Sequence, residues 1–145
     1  MRDPNYTWAT KNLMKEKNKI KVGVIGASGF TGEVLTDLLF NHSQVETIAL
    51  SSRQLEGRNV TDVFKHLSIK SDIKFTSPED DIFNECHAVF LCTPHGNSMN
   101  ISKNLLKKKI KVIDLSADFR LKEAEVWNKW YDTQHSNPEL LSESV

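Results

Sequence analysis

From residue 22 onward, short apolar runs alternate with stretches whose apolar residues recur at helical spacing. The runs at residues 22–25, 45–50, 88–92 and 110–115, with a shorter one at 73–75, predict buried strands. Helices are predicted from just after Gly32 to about residue 41, over 97–108 and over 123–132, with a weak helical turn over 78–84. Because strands and helices alternate, we predict an α/β fold of Rossmann type, a doubly wound and mostly parallel sheet with helices on both faces.

Two of the predicted helices carry specific packing predictions. One face of the first helix is predicted to consist of Val34, Leu35, Leu38 and Leu39. The last helix carries an aromatic stripe made of Val126, Trp127, Trp130 and Tyr131. Core packing explains such a stripe better than a cofactor contact does.

The first predicted strand ends in a glycine turn, Gly26-x-x-Gly29-x-x-Gly32, that leads into a helix. Glycines allow a tight turn and a close approach to a pyrophosphate, while the start of the helix presents free N–H groups to the anion. The spacing departs from the common G-x-G-x-x-G pattern in its middle glycine. The strand, turn, helix and strand that surround it favour nucleotide binding over glycines that serve packing alone.

The end of the second predicted strand indicates which dinucleotide is bound. Domains that select NAD usually place an acidic residue here to hold the ribose 2′-hydroxyl, whereas this chain has Ser51, Ser52 and Arg53. Hydroxyls and a guanidinium suit a 2′-phosphate, which a carboxylate would repel. NADP(H) is therefore the predicted cofactor, and an ordinary polar loop is the alternative.

Composition narrows the function classes further. The chain has 145 residues, 39% of them hydrophobic, and its 19 basic and 19 acidic side chains cancel. We therefore expect neither nucleic-acid nor membrane binding, and a soluble, cytoplasmic protein. Residues 1–18 are predicted to be a disordered or tag-like extension, and residues 19–145 a single domain. Cys86 and Cys92 lack zinc-site spacing, so reduced thiols and no metal site are expected.

The sequence segments at residues 26–32, 51–53, 93–98 and 113–120 occur in the order and spacing of one enzyme family. From about residue 20 to residue 145, the chain resembles the N-acetyl-gamma-glutamyl-phosphate reductases. Aspartate-semialdehyde dehydrogenases are similar in the glycine turn but lack the Pro-His-Gly and Ser-Ala-Asp-Phe-Arg segments. Reductases that act on a carrier-protein-linked aminoadipyl or glutamyl phosphate, in lysine or ornithine biosynthesis, share these motifs and remain an alternative. A stand-alone nucleotide-binding module without catalysis is a further one.

The resemblance implies NADPH-dependent reduction of N-acetyl-glutamyl phosphate to the semialdehyde in arginine biosynthesis, by a full-length enzyme that forms a homo-oligomer. It implies cofactor contacts from Gly26, Ser28, Gly29, Phe30, Thr31, Gly32, Ser51, Ser52, Arg53, Thr93, Pro94, His95 and Ser98. It also implies that Ser116 and Arg120 bind the substrate. For Arg120, an ion pair with Asp114 or Asp118 is the alternative.

The resemblance implies that residues 19–145 are the NADP-binding Rossmann domain of a two-domain reductase, without its catalytic and dimerisation domain. The family's catalytic cysteine lies in an Asn-Pro-Gly-Cys segment, and its catalytic histidine lies further on, in the second domain. Both positions are expected downstream of Val145, so no catalytic residue is assigned to this chain. Cys92 and His95, three residues apart, are the two candidate substitutes, and His95 is interpreted as a loop residue that binds backbone or cofactor. A small buried hydrophobe is the favoured interpretation of this cysteine, because reactive thiols need electropositive, partly exposed sites. The other histidines are expected to be structural: His42, His66, His87 and His135.

Overall fold

The computed structural model describes residues 19–145, so the predicted extension over residues 1–18 lies outside the described part. Its strands are β1 Ile20–Ile25, β2 Val45–Ser51, β3 Phe75–Thr76, β4 Ala88–Leu91 and β5 Lys111–Asp114. They form one sheet in the order β3-β2-β1-β4-β5, and every pairing is parallel. The predicted fold class is confirmed. The direction of winding reverses between β1 and β4, which opens a crevice at the carboxyl ends of these two strands.

Residues 19–145 form four α-helices and two short 3₁₀ helices, of which the last α-helix and the last 3₁₀ helix follow β5. They are α1 Phe30–Phe40, α2 Val60–Val63, α3 Ser98–Lys107 and α4 Ala124–Tyr131, with the 3₁₀ helices Asp81–Glu85 and Pro138–Leu141. The weak turn predicted over residues 78–84 is the first of these 3₁₀ helices. The sequence did not predict α2 or the last 3₁₀ helix, because four residues are too few to show a helical period.

The core consists of two apolar clusters, one on each face of the sheet. On one face, Leu39 of α1 and Val60 of α2 pack in a cluster with Val24 and Leu50. On the other face, a second cluster joins the first 3₁₀ helix and α3 to β1 and β4; its members include Ile25, Phe83, Val89, Leu91 and Leu105. Helices therefore cover both faces, as the alternating pattern predicted.

The predicted inner face of α1 is wrong for two of its four residues. Val34 is 49% exposed and Leu38 is 63% exposed. The buried residues are instead Gly32, Thr36 and Leu39. Gly32 explains this rotation of the helix, because its Cα lies so close to the glycine turn that only a hydrogen fits there.

The aromatic stripe of α4 serves the core through Trp127. Its side chain is fully buried, stacks on Tyr131 with ring centroids 4.8 Å apart, and donates a hydrogen bond from Nε1 to the carbonyl of Ala117 at 3.0 Å. Trp130 is 76% exposed and Val126 is 43% exposed. The core assignment was therefore wrong for these two residues, which lie on the outer side of a helix that buries one narrow face.

Candidate functional site

Four polar loops leave the sheet at one edge. Ile25 at the end of β1 pairs with Ser51 of β2 and with Leu91 of β4, and Leu91 pairs with Asp114 of β5. Because all of these strands are parallel, their carboxyl ends are level and their exit loops are neighbours. The structure thus brings the four sequence-predicted segments together at the edge where open α/β sheets bind ligands.

Two of the three motif glycines are required by the protein itself. Gly26 has a positive φ of +83°, and a Cβ there would lie 2.5 Å from the carbonyl oxygen of Cys92. A Cβ on Gly32 would lie 2.3 Å from the carbonyl oxygen of Gly26. Neither overlap can be relieved by a side-chain movement, because the opposing atoms are backbone. The absence of a side chain at these two positions allows β1, α1 and the loop after β4 to pack closely.

Gly29 has no such packing requirement. A Cβ there would meet only the carbonyl oxygen of Gly26, at an ordinary 3.6 Å. Gly29 is exposed and begins α1 without a side-chain cap, and the N–H groups of Phe30, Thr31 and Gly32 find no acceptor among residues 19–145. Free N–H groups and the positive end of the helix dipole form an anion site. The residues present therefore fit the pyrophosphate of a dinucleotide.

Ser51, the last residue of β2, and Ser52, which follows it, form hydrogen bonds with the glycine turn. Ser51 is fully buried, and its Oγ accepts a hydrogen bond from the N–H of Gly26 at 3.3 Å. Ser52 is 5% exposed, and its Oγ accepts a hydrogen bond from Ser28 Oγ at 2.8 Å. Ser51 and Ser52, both predicted to contact the cofactor, therefore contact the glycine turn in this structure. Of the three serines, Ser28 is the exposed one.

Arg53 lines a cleft of about 420 Å³ that reaches Ile25, the residue just before the glycine turn. The cleft runs from Ile25 to α3, and its lining includes Pro78, Glu79, Asn97 and Ile101. The guanidinium forms an ion pair with Glu79, with Nη2 and Oε1 2.9 Å apart. The Arg53 side chain is 70% exposed. Asp80, Asp81 and Lys108 also line the cleft, so Arg53 is one of two basic side chains in a lining that holds three acidic ones.

The loop after β4 places Pro94 and His95 on the surface and buries Ser98. Ser98 Oγ and Thr93 Oγ1 form a hydrogen bond 2.8 Å long across the turn. The His95 ring packs at 5.5 Å from the ring of Tyr131 in α4. Of the residues predicted here to contact the cofactor, His95 and Pro94 face solvent, and Ser98 braces the loop.

Asp118, which the sequence suggested only as a possible ion-pair partner of Arg120, is the residue that holds this loop. Its side chain is fully buried. Oδ1 accepts a hydrogen bond from the N–H of Gly96 at 2.7 Å, and Oδ2 accepts one from the N–H of Met99 at 3.1 Å. The carboxylate thereby caps the N-terminus of α3 from the neighbouring loop, where a negative charge is favourable. The only sequence signal for this residue was its position in a polar loop after a predicted strand.

His135 and Asn137 fasten the same region from the C-terminal side. His135 is buried; its Nε2 lies 2.8 Å from the carbonyl oxygen of Asp118, and its Nδ1 accepts a hydrogen bond from the N–H of Asn137 at 3.2 Å. Asn137 Nδ2 donates to the carbonyl of Met99 at 2.8 Å. With both ring nitrogens engaged by backbone groups, His135 has the structural role predicted for it.

Ser116 and Arg120 border a second cleft of about 420 Å³ beside β5. Ser116 Oγ donates to Asp114 Oδ2 at 2.9 Å and accepts from the N–H of Asp118 at 3.1 Å, which fixes the loop. Arg120 is exposed, and its only described partner is the carbonyl oxygen of Ser116 at 3.5 Å. Neither Asp114 nor Asp118 forms the ion pair considered as the alternative, because both carboxylates are already engaged by N–H or hydroxyl donors.

Neither cysteine is placed as a nucleophile. Burial, followed by the charge of Asp114, raises the pKa of Cys92 to about 11. Burial and Glu85 raise the pKa of Cys86 to about 11 as well. Both side chains are therefore thiols at neutral pH and not thiolates.

Metal-binding clusters and membrane-spanning helices are both absent from residues 19–145. No group of His, Cys, Asp and Glu side chains in this part of the chain could hold a metal ion. None of its helices is long and apolar enough to cross a bilayer.

A family model described as "Semialdehyde dehydrogenase, NAD binding domain" matches residues 21–145. The chain belongs to this family. This membership accounts for the glycine turn and the crevice at the β1–β4 switch point, and it confirms the predicted class of cofactor, a nicotinamide dinucleotide.

Relatives of the family make the resemblance more specific. The chain is 45% identical over 126 residues to the N-acetyl-gamma-glutamyl-phosphate reductase of Polynucleobacter asymbioticus, which covers 87% of this chain and 36% of that protein. It is 43% identical, with the same coverage, to the reductase of the same name from Acinetobacter baylyi. The chain thus spans about a third of the length of these relatives, and it matches them over the region in which the four segments lie.

A solved structure shows the same fold. Aspartate semialdehyde dehydrogenase from Candida albicans, determined with NADP, superposes with a TM-score of 0.61 at 25% identity, over 73% of this chain and 32% of that chain. The similarity to aspartate-semialdehyde dehydrogenases expected from the glycine turn is therefore present in the fold.

Proposed function

We propose that this chain is the NADP-binding part of an N-acetyl-gamma-glutamyl-phosphate reductase. The observation that carries the proposal is the meeting of the four motif loops at one sheet edge, around a helix start whose N–H groups have no acceptor among the described residues. The 45% identity to an enzyme of that name supports the choice of substrate over the alternatives. NADPH, when bound, supplies the hydride that reduces the acyl group.

The geometry distributes the binding roles among the loops. Gly29 and the N–H groups at the start of α1 bind the pyrophosphate, and Arg53 binds the 2′-phosphate of the adenosine ribose. Thr93, Pro94 and His95 line the nicotinamide side. Three buried serines, Ser51, Ser52 and Ser98, keep the loops that carry these binding residues in position.

On the substrate side, we assign Ser116 and Arg120 to the acyl phosphate. The guanidinium is exposed and borders a cleft, and a planar fork of donors matches a phosphate or carboxylate. Because both described cysteines are protonated at neutral pH, we place the nucleophile and the proton-transferring histidine outside residues 19–145. We further propose that the complete enzyme is a cytoplasmic homo-oligomer acting on a small molecule; the balanced charge supports the absence of nucleic-acid binding.

Cofactor binding is tested by calorimetric titration of the chain with NADPH and NADH at one ionic strength. We expect tighter binding of NADPH, because charge-assisted hydrogen bonds to the 2′-phosphate contribute on the order of 1.5–3 kcal/mol. Arg53→Ala should shrink this preference while leaving NADH affinity nearly unchanged. Equal or tighter binding of NADH by the unaltered chain would overturn the choice of NADP.

The substrate is tested with a chimera, in which residues 20–145 replace the matching region of the Polynucleobacter reductase. We expect the chimera to reduce N-acetyl-glutamyl phosphate with NADPH and to leave a carrier-protein-linked glutamyl phosphate unreacted. The isolated chain, assayed in reverse with N-acetylglutamate semialdehyde, phosphate and NADP⁺, should show no turnover. A chimera that folds and binds NADPH but prefers the carrier-linked substrate would replace this proposal with the carrier-linked reductase.

A further inference from the structure

Arg53 and Glu79 form an ion pair in the cleft that reaches Ile25 at the end of β1. Nη2 of Arg53 lies 2.9 Å from Oε1 of Glu79, and the two side chains are 70% and 67% exposed. Both residues line the same cleft. The guanidinium therefore meets a carboxylate at the position where, under the proposed function, it binds a phosphate.

The sheet itself places these two residues side by side. Ser51 pairs with Thr76 where β2 and β3 end, and the N–H of Ser52 donates to the carbonyl of Thr76 at 3.1 Å. The loop that carries Arg53 and the loop that carries Glu79 thus leave the sheet as neighbours. Proximity of the two side chains is a consequence of strand order and not of a chance surface contact.

Glu79 is held at this place without Arg53. Ser77 Oγ donates a hydrogen bond to its carboxylate, and the N–H of Glu79 donates back to Ser77 Oγ at 3.2 Å. The hydrogen bond from Ser77 and then that from Arg53 keep the pKa of Glu79 below its usual range. The carboxylate is therefore ionised at neutral pH and remains beside Arg53 when the arginine changes partner.

Resting on the proposed function, we infer that Glu79 sets how strongly the chain discriminates between NADPH and NADH. A 2′-phosphate carries close to two negative charges, and binding it to Arg53 brings it next to a fixed carboxylate of the same sign. A ribose 2′-hydroxyl has no charge and can donate a hydrogen bond to that carboxylate, as it does in domains that select NAD. Glu79 therefore weakens the preference for NADPH that Arg53 creates.

The opposite role, in which Glu79 orients Arg53 for the phosphate, is disfavoured by the exposure of the pair. Exposed ion pairs restrict their side chains weakly and are readily exchanged for other partners. We therefore expect repulsion between the Glu79 carboxylate and the 2′-phosphate dianion to be the larger of the two effects. The two roles predict opposite signs for one measurable ratio.

The test is the ratio of the NADH and NADPH dissociation constants, measured by calorimetry on the chain and on Glu79→Gln. We expect Glu79→Gln to raise this ratio about three- to tenfold at 0.15 M salt, with most of the change in NADPH affinity. Asp81→Asn is the matched control, since it removes the same charge from the same cleft without contacting Arg53. Its ratio should change less than twofold.

The double variant Arg53→Ala with Glu79→Gln separates the pair from a general charge effect. With Arg53 replaced, the 2′-phosphate is no longer held beside Glu79, so Glu79→Gln should raise the ratio less than it does in the unaltered chain. A ratio that is unchanged or lowered by Glu79→Gln in a chain that binds NADPH would overturn this inference. Failure of the unaltered chain to bind either dinucleotide would instead overturn the proposed function.

Discussion

The buried carboxylate of Asp118 accepts a hydrogen bond from the backbone N–H of Gly96 at 2.7 Å. These residues are 22 positions apart and belong to different exit loops, so one side chain fixes the loop after β5 relative to the loop after β4. A second bond, from the N–H of Met99 at 3.1 Å, anchors the start of α3 to the same carboxylate. The relative position of the two halves of the site therefore depends on Asp118.

We predict that Asp118→Asn destabilises the chain by about 1–3 kcal/mol. Asparagine keeps one acceptor oxygen, but its NH₂ group would face an N–H donor and leave it without a partner. Chemical denaturation measures the loss. Asp62→Asn is the control, because that side chain is exposed and should change stability by less than about 0.5 kcal/mol. Equal stabilities of the two variants would show that the carboxylate is not the anchor.

Alanine substitutions at two glycines of the turn should have different consequences. For Gly29→Ala we expect a loss of at most about 1 kcal/mol, since alanine is a poorer N-cap than glycine but its Cβ makes only an ordinary 3.6 Å contact, together with at least tenfold weaker binding of NADPH. For Gly32→Ala we expect a loss of roughly 1–3 kcal/mol or more, because its Cβ would lie 2.3 Å from a backbone oxygen. Thermal unfolding and NADPH titration of both variants provide the comparison. Unimpaired NADPH binding by Gly29→Ala would contradict a pyrophosphate at the start of α1.

The cysteines should be slow to alkylate. A rise of the Cys92 pKa from 9.0 to about 11 lowers its thiolate fraction about a hundredfold at pH 8. In Cys86→Ser, which leaves Cys92 as the cysteine under test, iodoacetamide labelling should be slow at pH 8 and accelerate as the pH rises toward 11. Rapid labelling at pH 7 that NADPH blocks would identify Cys92 as an active-site nucleophile.

The same pKa shift has a consequence for stability. The folded chain keeps the Cys92 proton to higher pH than the unfolded chain does, so this stabilisation is complete below about pH 9 and is lost as the pH rises through about 11. Part of the alkaline loss of stability should therefore be absent from Cys92→Ser. Unfolding curves at pH 8 and pH 10.5 would show the difference.

Arg120→Ala should leave folding intact and affect the substrate. Its guanidinium is exposed and has only a 3.5 Å contact with the carbonyl of Ser116, so we expect a stability change below about 0.5 kcal/mol. In the chimeric reductase, the substitution should raise KM or lower kcat while the dissociation constant of NADPH stays near its original value. Arg120→Lys should restore part of the activity, since lysine keeps the charge without the planar fork. A selective loss of NADPH binding would move Arg120 to the cofactor.

The order of strands and helices, the glycine turn and the class of cofactor could be predicted from the sequence because they depend on local patterns. Apolar runs and helical spacing identify β1, β2, β4, β5, α1, α3 and α4 without any long-range information. A glycine turn between a strand and a helix can likewise be recognised from about a dozen consecutive residues. The four motif loops then fall at one edge because parallel strands end together.

Contacts between distant residues were decided only by the tertiary structure. The rotation of α1, which exposes Val34 and Leu38, follows from the close approach of Gly32 to the turn and not from the periodicity of the helix. The pairing of Arg53 with Glu79 joins loops 26 residues apart. Sequence spacing cannot distinguish a glycine needed for packing, such as Gly32, from one left open, such as Gly29, because the distinction depends on which backbone atoms the folded chain brings within reach of a Cβ.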